Sequence, residues 1–364
     1  MTELETMRDE VRALMSRLHD GGRDERAFDA LASRIGAMQV ARCDVHARLA
    51  ARATRDGAAR SEPVAVPTDV FRYADVSVLS GTPPLRTFRT SGTTSEAQGR
   101  HALRDLSLYE ISARHAAKHF LFPDTDAMDL VSLVPDERVS PHSSLSYMVA
   151  RFADWFCRDL RYVVGAGGLD HEALAAACER AESRACPVAL LATSFALVHA
   201  EDALGDRRFR LPSGSRVMQT GGFKGRSREV SAEALRAAIV ARYGVADAFV
   251  IGEYGMTELS SQLYETTLRH ATIGDAPAGR AYGAMGWVRA TVRDPETLAP
   301  RPAGERGLVR IDDLANVETA VAVLTSDLGT MDAHGRLVLH GRATGADARG
   351  CSIAADALLS RETP

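Results

Sequence analysis

Apolar residues at Met7, Val11, Leu14 and Met15, and again at Phe28, Leu31, Ile35 and Met38, recur at three- and four-residue steps, the period of one helix face. They predict an α-helical lead-in over residues 2–55. From about residue 61 the pattern breaks into short β-branched runs between prolines, as in VPTDVFRY and GTPPL, where turns are expected. DLSLYEISARHAAKHFLF then predicts a helix with Asp105 as its N-cap and Pro123 just past its end. DLVSLV predicts a buried strand, VVGAGGLD a strand running into a turn, and HEALAAACERAESR a helix; apolar runs at 188–192 and 215–219 predict further strands. SAEALRAAIVARYG carries Ser231 at the N-cap position, Leu235, Ile239 and Tyr243 on one face, and Gly244 where a helix stops. It leads directly into AFVIGEYGMTE.

Strands alternating with helices predict an α/β core with a parallel sheet. Beyond residue 280 the texture changes: GWVRATVRDPETLAP, GLVRID, AVAVLTSD and GRLVLHGR are short strands separated by turns, expected to form a small antiparallel, β-barrel-like subdomain. The pattern divides the chain into a helical lead-in (1–60), an α/β core (61–280), a β-rich subdomain (281–345) and a short tail (346–364). No internal repeat or low-complexity linker interrupts it.

Composition narrows the function classes. A chain of 364 residues with 45% hydrophobic and 25% charged residues can bury a large core. No apolar run approaches the ~20 residues of a membrane span, and MTELETMRDEVRALM is too charged for a secretory signal, so a cytoplasmic location is expected. The five cysteines, Cys43, Cys157, Cys178, Cys186 and Cys351, include no C-x-x-C pair, so free thiols are expected rather than a disulfide framework or structural zinc. A net charge of −4 lacks the basic footprint of a nucleic-acid binder. Of 44 basic residues only Lys118 and Lys224 are lysine. In a chain drifted toward arginine, a retained lysine can mark a place where arginine will not serve. Lys224 lies in the Gly-rich TGGFKGR and is the functional candidate; Lys118 lies on a helical face.

Absences prune the chemistry further. There is no G-x-x-x-x-G-K-[ST], no G-x-G-x-x-G between strand and helix, no G-x-S-x-G elbow and no H-E-x-x-H helix. RTSGTTSEAQGR, at 89–100, can still cradle a phosphate: glycine-freed amides and several hydroxyls can wrap an anion, and a following helix start adds its positive end. The alternative for such a stretch is an ordinary turn.

A second island changes the weighing. An apolar strand ends in Glu253, Tyr254, Gly255, Met256, Thr257 and Glu258. With SGTTS at 91, YGMTE at 254, SDLG at 326 and GR at 341, in that order, the chain resembles the adenylate-forming superfamily of acyl-CoA synthetases, peptide-synthetase adenylation domains and luciferases. PHSSLSYM at 141, TGGFKGR at 220, EYGMTELSSQLY at 253 and RGCS at 349 look closer still to the acyl-protein synthetases that activate fatty acids for bacterial luminescence reductases. The resemblance covers about residues 85–355 and departs from the superfamily at Ser95, where glycine is usual.

The resemblance implies the large lobe of the adenylate-forming fold and ATP-dependent activation of a carboxylic acid. Ser91, Gly92, Thr93 and Thr94 would hold the β- and γ-phosphates, and Thr220, Gly221 and Gly222 would let the backbone lie beside the base. Tyr254, with Gly255 and Met256, would stack on the adenine, Thr257 would bond the α-phosphate, and Glu258 would hold Mg²⁺. Asp327 would accept the ribose hydroxyls, with Arg342 close by. Taken singly, Tyr254 reads equally as a core ring, Asp327 as a turn residue and Arg342 as a surface cation. His101 and His142 read as readily as structural histidines.

Relatives of full length follow the G-R motif with a small mobile domain carrying a catalytic lysine. Here 22 residues follow Arg342, fewer than the ~40 of an independent fold, so that domain is expected to be absent. Lys224, with Arg226 close by in sequence, is then the candidate to supply the missing charge. Cys351, after Gly350 and Arg349, is the candidate acyl acceptor that would pass the group to a reductase, since a thiol near cations ionises more easily. The plain alternative is a small buried residue. PHSSLSYMVARF and PVALLATSFALVH are expected to line an acyl pocket. A fatty or aryl acid, and coenzyme A, a carrier protein or an amine as acceptor, all fit this reading; a catalytically weak scaffold subunit is the alternative of a different class.

Overall fold

Thr2 opens the first helix, Glu3–Arg17. Its hydroxyl accepts from the Glu5 amide while the Glu5 carboxylate accepts from the Thr2 amide, which satisfies two donors that a helix start leaves over. Asp24 caps Glu25–Arg42 through the Ala27 amide (3.0 Å), and Asp44–Arg55 follows. Leu4, Met7, Val11, Leu14 and Met15 bury one face of the first helix, and Phe28, Leu31, Ile35 and Met38 that of the second, the stripes the sequence predicts. This computed structural model describes residues 2–55, 62–79, 81, 83–90, 98–221 and 230–343. Among these, no helix is long and apolar enough to cross a membrane.

The chain divides into two compact units. One comprises Met1–His115, Met256–Gln262 and Gly283–Pro364, the other Ala116–Gly255 and Leu263–Tyr282. These limits cut across the segments 1–60, 61–280, 281–345 and 346–364 drawn from the sequence, because a change of residue texture marks the type of an element and not the core it joins.

In the first unit Val288–Arg293, Gly307–Asp313, Ala322–Met331 and Leu337–Arg342 lie side by side in that order, each antiparallel to the next. Val66–Pro67 pairs parallel with Val323–Leu324, and a separate hairpin joins Arg86–Arg89 to Arg100–Leu103. Trp287, Val309, Ile311 and Val323 are fully buried in this unit.

In the second unit the parallel strands run, across the sheet, Cys157–Tyr162, Met128–Leu133, Val188–Thr193, Arg216–Thr220 and Val250–Tyr254, with Leu263–Glu265 antiparallel beside the last. Helices Ser144–Phe156, His171–Ser183, Ser194–Ala203 and Ala232–Tyr243 make the connections. The central strand Val188–Thr193 is an apolar run up to Thr193, as expected where both faces are covered, while Asp129, Arg216, Gln219 and Glu253 interrupt the other inner strands. The row reads second, first, third, fourth, fifth in chain order; such a reversal opens a crevice at the carboxyl ends of the first and third strands, here Met128–Leu133 and Val188–Thr193. Gly244 ends its helix in the left-handed conformation (φ 67°), and a Cβ there would fall 2.9 Å from the Phe209 carbonyl, so glycine is required.

Two elements differ from the sequence expectation. The strand expected at VVGAGGLD lies just before it, at Cys157–Tyr162, and only the two-residue strands Val164–Gly165 and Gly168–Leu169 follow. Its alternation of Arg158, Asp159 and Arg161 hid it, as befits the outermost strand of a row. The helix expected through 122 is α-helical over Ser107–Ala116 and widens to a π turn over Ala117–Leu121.

Candidate active site

In the second unit, Thr220 with Gly221 and Tyr254 with Gly255 end two adjacent parallel strands, with Glu253 paired in register with Thr220. Carboxyl ends of strands are where open α/β sheets bind ligands. Gly221 takes φ 75° with open space where a Cβ would stand, and its carbonyl accepts from the Ser194 hydroxyl at 2.7 Å, which ties the strand end to the start of a helix. Tyr254 is 8% exposed, its ring edge-on to Tyr282 with centroids 6.0 Å apart.

Behind these residues lies a set of buried polar groups that the sequence did not single out. Glu253 accepts from the Thr220 hydroxyl, and burial pushes its carboxyl up to about 7 against the opposing pull of that bond. Glu265 accepts from the Gly252 amide (2.7 Å) and from Arg280 (2.6 Å); Arg280 also reaches the Val250 carbonyl (2.8 Å) and the Asp247 carboxylate (2.7 Å). Burial, then the charges of Glu265 and Glu253, raises the Tyr282 phenol above its ordinary value. A Cβ at Gly252 would overlap the Tyr282 hydroxyl and sit 3.1 Å from the Glu265 carboxyl carbon, so a larger residue must displace those side chains. The available signal was an acid inside each of two apolar strands, VIGEY and LYE.

In the first unit, Thr90 and Gly99 close the base of the hydroxyl-rich loop. The Thr90 amide donates to the Gly99 carbonyl (3.0 Å) and the Gly99 amide to Thr90 Oγ1 (2.9 Å). A Cβ on Gly99 would stand 3.5 Å from Glu258 Oε1, so the Glu258 carboxylate lies beside that base. Thr257 Oγ1 donates to the Arg89 carbonyl at 3.4 Å, on the adjoining strand. The Met256–Gln262 segment turns at once, Leu259 N to Met256 O (3.1 Å), and side chains from elsewhere in the unit bond the Thr257 and Glu258 carbonyls, the Ser260 amide and the Ser261 hydroxyl. His101 Nδ1 meets the Thr257 carbonyl at 2.6 Å, and its Nε2 meets Thr319 Oγ1 at 3.0 Å. A carbonyl only accepts, so Nδ1 carries the proton and Nε2 accepts from the threonine. Full burial drives the His101 pKa down to about 4, against the bond to Thr257, and keeps the ring neutral.

Asn316 Nδ2 donates to the Glu258 carbonyl (2.9 Å). Asp313 accepts from the Ser260 amide (3.0 Å), Ser261 Oγ (2.7 Å) and the Ala315 amide (2.9 Å). Burial raises its carboxyl to about 6, and those bonds pull the other way. Trp287 Nε1 donates to Ser112 Oγ, which donates to Ser261 Oγ, each at 2.8 Å, so the chain of donors ends on Asp313. On neighbouring strands of the same unit, Asp327 and Arg342 are cross-strand partners with Arg342 Nε 3.2 Å from Asp327 Oδ1.

Ser91, Gly92, Thr93, Thr94, Gly222, Lys224, Arg226 and Cys351 lie outside the described residues. Cys43, Cys157, Cys178 and Cys186 are free thiols. Lys118 donates to the Thr125 carbonyl (2.9 Å) and Asp126 (2.8 Å), a local tie across the turn after its helix. Among the described residues, no group of three or more His, Cys, Asp or Glu could hold a metal ion. One carboxylate, such as that of Glu258, suits Mg²⁺ carried largely by substrate phosphates, since that ion commonly takes one or two protein carboxylates.

The sequence matches no family model and no curated protein sequence. Solved structures do resemble it. A 2-hydroxyisobutyryl-CoA ligase, captured open with 2-HIB-AMP and CoA, aligns over 90% of this chain and 79% of its own, with TM-score 0.62 and 13% identity. ATP-bound MatB from Rhodopseudomonas palustris aligns over 70% of this chain with TM-score 0.50 and 18% identity, as does an ATP-bound RpMatB-BxBclM chimera. In both cases the chain spans about half the length of the other protein, 47%. At such identities the likeness speaks for the fold alone, an α/β lobe built like that of these solved structures.

Proposed function

We propose that this protein is an ATP-dependent ligase that activates a carboxylic acid as its acyl-adenylate. A carboxylate oxygen attacks the α-phosphorus of ATP, the bond to the bridging oxygen breaks, and pyrophosphate leaves with that electron pair. The barrier is mostly crowding of negative charge, so the protein's task is to align the groups and offset charge. Bound Mg²⁺ supplies charge neutralisation on the triphosphate, and Glu258 is its protein ligand in this reading. Ser91, Gly92, Thr93 and Thr94 hold the β- and γ-phosphates, and Thr257 bonds the α-phosphate. Tyr254 stacks on the adenine beside Thr220, Gly221 and Gly222, and Asp327 accepts the ribose hydroxyls with Arg342 next to it.

One observation carries the reading: the Glu258 carboxylate lies beside Gly99, so two motifs far apart in sequence meet at the base of the hydroxyl-rich loop. The named ligase's complex with 2-HIB-AMP and CoA supports the same chemistry. For the acid, helices Ser144–Phe156 and Ser194–Ala203 follow the two strands that flank the crevice of the sheet, which supports PHSSLSYMVARF and PVALLATSFALVH as its lining. Lys224 and Arg226 supply positive charge to the departing pyrophosphate. A thiolate, of Cys351 or of a partner reductase or carrier protein, then attacks the acyl carbon, the acyl–phosphate bond breaks and AMP leaves with that electron pair, in the manner of an acyl-protein synthetase.

Acid-dependent ATP/pyrophosphate exchange over a panel of fatty, short and aryl acids tests the reading. Wild type should exchange with at least one acid, and Glu258→Gln should lower kcat by about 100-fold or more, the scale of a lost electrostatic contact to the transition state. Wild-type protein silent with every acid would defeat it and favour a scaffold role. Cys351→Ser should retain exchange while losing acyl label on the protein.

A further inference from the structure

The adenylation reading gives the N-terminal helices no task, yet they reach the Thr257–Glu258 segment by a continuous path within the first unit. Gln39, fully buried on the helix Glu25–Arg42, donates to the carbonyls of Asn316 (2.8 Å) and Val317 (3.1 Å) and accepts from the Val321 amide (3.1 Å). His46, on the next helix and 2% exposed, meets the Thr319 carbonyl at 2.8 Å. Both side chains therefore grip one turn, which its own bonds already tighten: Asp313 N to Val321 O (2.8 Å) and Asn316 N to Asp313 O (3.0 Å).

The same turn grips the motif. Asn316 donates to the Ala320 carbonyl (3.0 Å) within the turn and to the Glu258 carbonyl outside it. Thr319 Oγ1 donates to His101 Nε2, and His101 Nδ1 donates to the Thr257 carbonyl. Asn316, Thr319 and His101 are all 0% exposed, so no water competes for these donors, and losing one leaves a buried group unmatched. The relay has two arms, one per carbonyl, and both begin at the helices.

We propose that His101, Asn316 and Thr319 are positioning residues that fix the Thr257 and Glu258 carbonyls, and that Gln39 and His46 make the N-terminal helices the anchor of that fix. The inference rests on the adenylation reading for what the segment does, and on bonds within one unit for how it is held. His101 serves as a neutral bridge between two oxygens, a job that needs a donor and an acceptor on opposite sides of one rigid ring.

Hydrogen exchange read by mass spectrometry, with the pyrophosphate-exchange assay beside it, tests the relay on Thr319→Val, Gln39→Leu, Thr319→Ser and a control, Ile239→Val, a buried core change in the other unit. In Thr319→Val and Gln39→Leu the peptide spanning 256–262 should exchange about 10- to 100-fold faster, the factor a lost buried hydrogen bond gives, while Val288–Arg293 stays protected. Their kcat should fall by a similar factor with the KM for the acid nearly unchanged, and Thr319→Ser should restore both. If protection and kcat in these variants match the control, the relay is overturned. If Gln39→Leu fails to fold, Thr319→Val still reads the other arm, which runs through His101 to the Thr257 carbonyl. If wild type gives no pyrophosphate exchange, the adenylation reading falls and this inference with it, whereas faster hydrogen exchange with intact kcat sinks the relay alone.

Discussion

Only one residue separates the strand end at Tyr254 from the segment Met256–Gln262, yet the paired strand ends at Thr220 and Tyr254 and that segment are held by different physics. The first belong to a parallel ladder whose register is set by backbone bonds from Val250↔Val217 to Glu253↔Thr220. The second has little ladder of its own; His101, Asn316 and Asp313 hold it through side chains. A ladder spreads its support over many bonds, so a single side chain matters there chiefly when it crowds the backbone. A segment held by side chains concentrates its support, and each of them becomes a point of failure.

The largest expected effect comes from Asp313→Ala. It leaves the Ser260 and Ala315 amides and the Ser261 hydroxyl without their acceptor and should cost about 3–5 kcal/mol in urea unfolding. Asp313→Asn, which keeps one acceptor oxygen, should cost clearly less; a loss under ~1 kcal/mol for the alanine variant would break the comparison. Next is Gly252→Ala in the ladder, where crowding is the lever: displacing Tyr282 and Glu265 should cost about 2–3 kcal/mol. If it proves neutral, the backbone there is softer than a ladder should be.

A pH series sharpens the contrast. The Glu253 carboxyl is raised to about 7, above its ordinary value of 4.5, so the native state keeps a proton that the unfolded chain has already lost. Its contribution is complete below about pH 4.5 and is lost as pH rises through 7, a fall on the order of 1–3 kcal/mol that Glu253→Gln should remove. Asp313, raised to about 6, gives the same sign over a lower window, and Asp313→Asn should remove that part only. Identical pH profiles for wild type and Glu253→Gln would count against the burial of that acid. Smallest is Lys118→Ala: its partner Asp126 is 98% exposed, so differential scanning calorimetry should register less than ~1 kcal/mol.

Local signals made much of the fold legible. The helix at 232–243 announced itself through Ser231, a periodic apolar face and Gly244, all within one short stretch. The apolar run at 188–192 became an inner parallel strand because a strand covered on both faces needs no alternation, and the strand expected at 215–219 lies beside it at Arg216–Thr220. The strand Cys157–Tyr162 escaped because its charges mimic a loop. For the candidate site, the sequence displayed motif residues and their order, whereas Gln39, Asp313, Asn316 and Thr319 looked like ordinary polar residues. Their burial depends on partners supplied from distant parts of the chain, and one sequence carries no record of such pairing. Glu253, Glu265 and Arg280 were hidden for the same reason.

The relay between Gln39 and Asn316 joins residues 277 positions apart, and the helices that begin the chain share a unit with the strands after Gly283. During synthesis at roughly 5–20 residues per second, Gln39 leaves the ribosome about 15–55 s before its partner is made. Through that interval Glu3–Arg17 and Glu25–Arg42 can pair with each other, through Arg34 with Glu10 and Arg42 with Glu3, but Gln39 lacks its final acceptors. Docking of Glu25–Arg42 onto the turn at Asn316 must therefore wait until the strands after Gly283 exist.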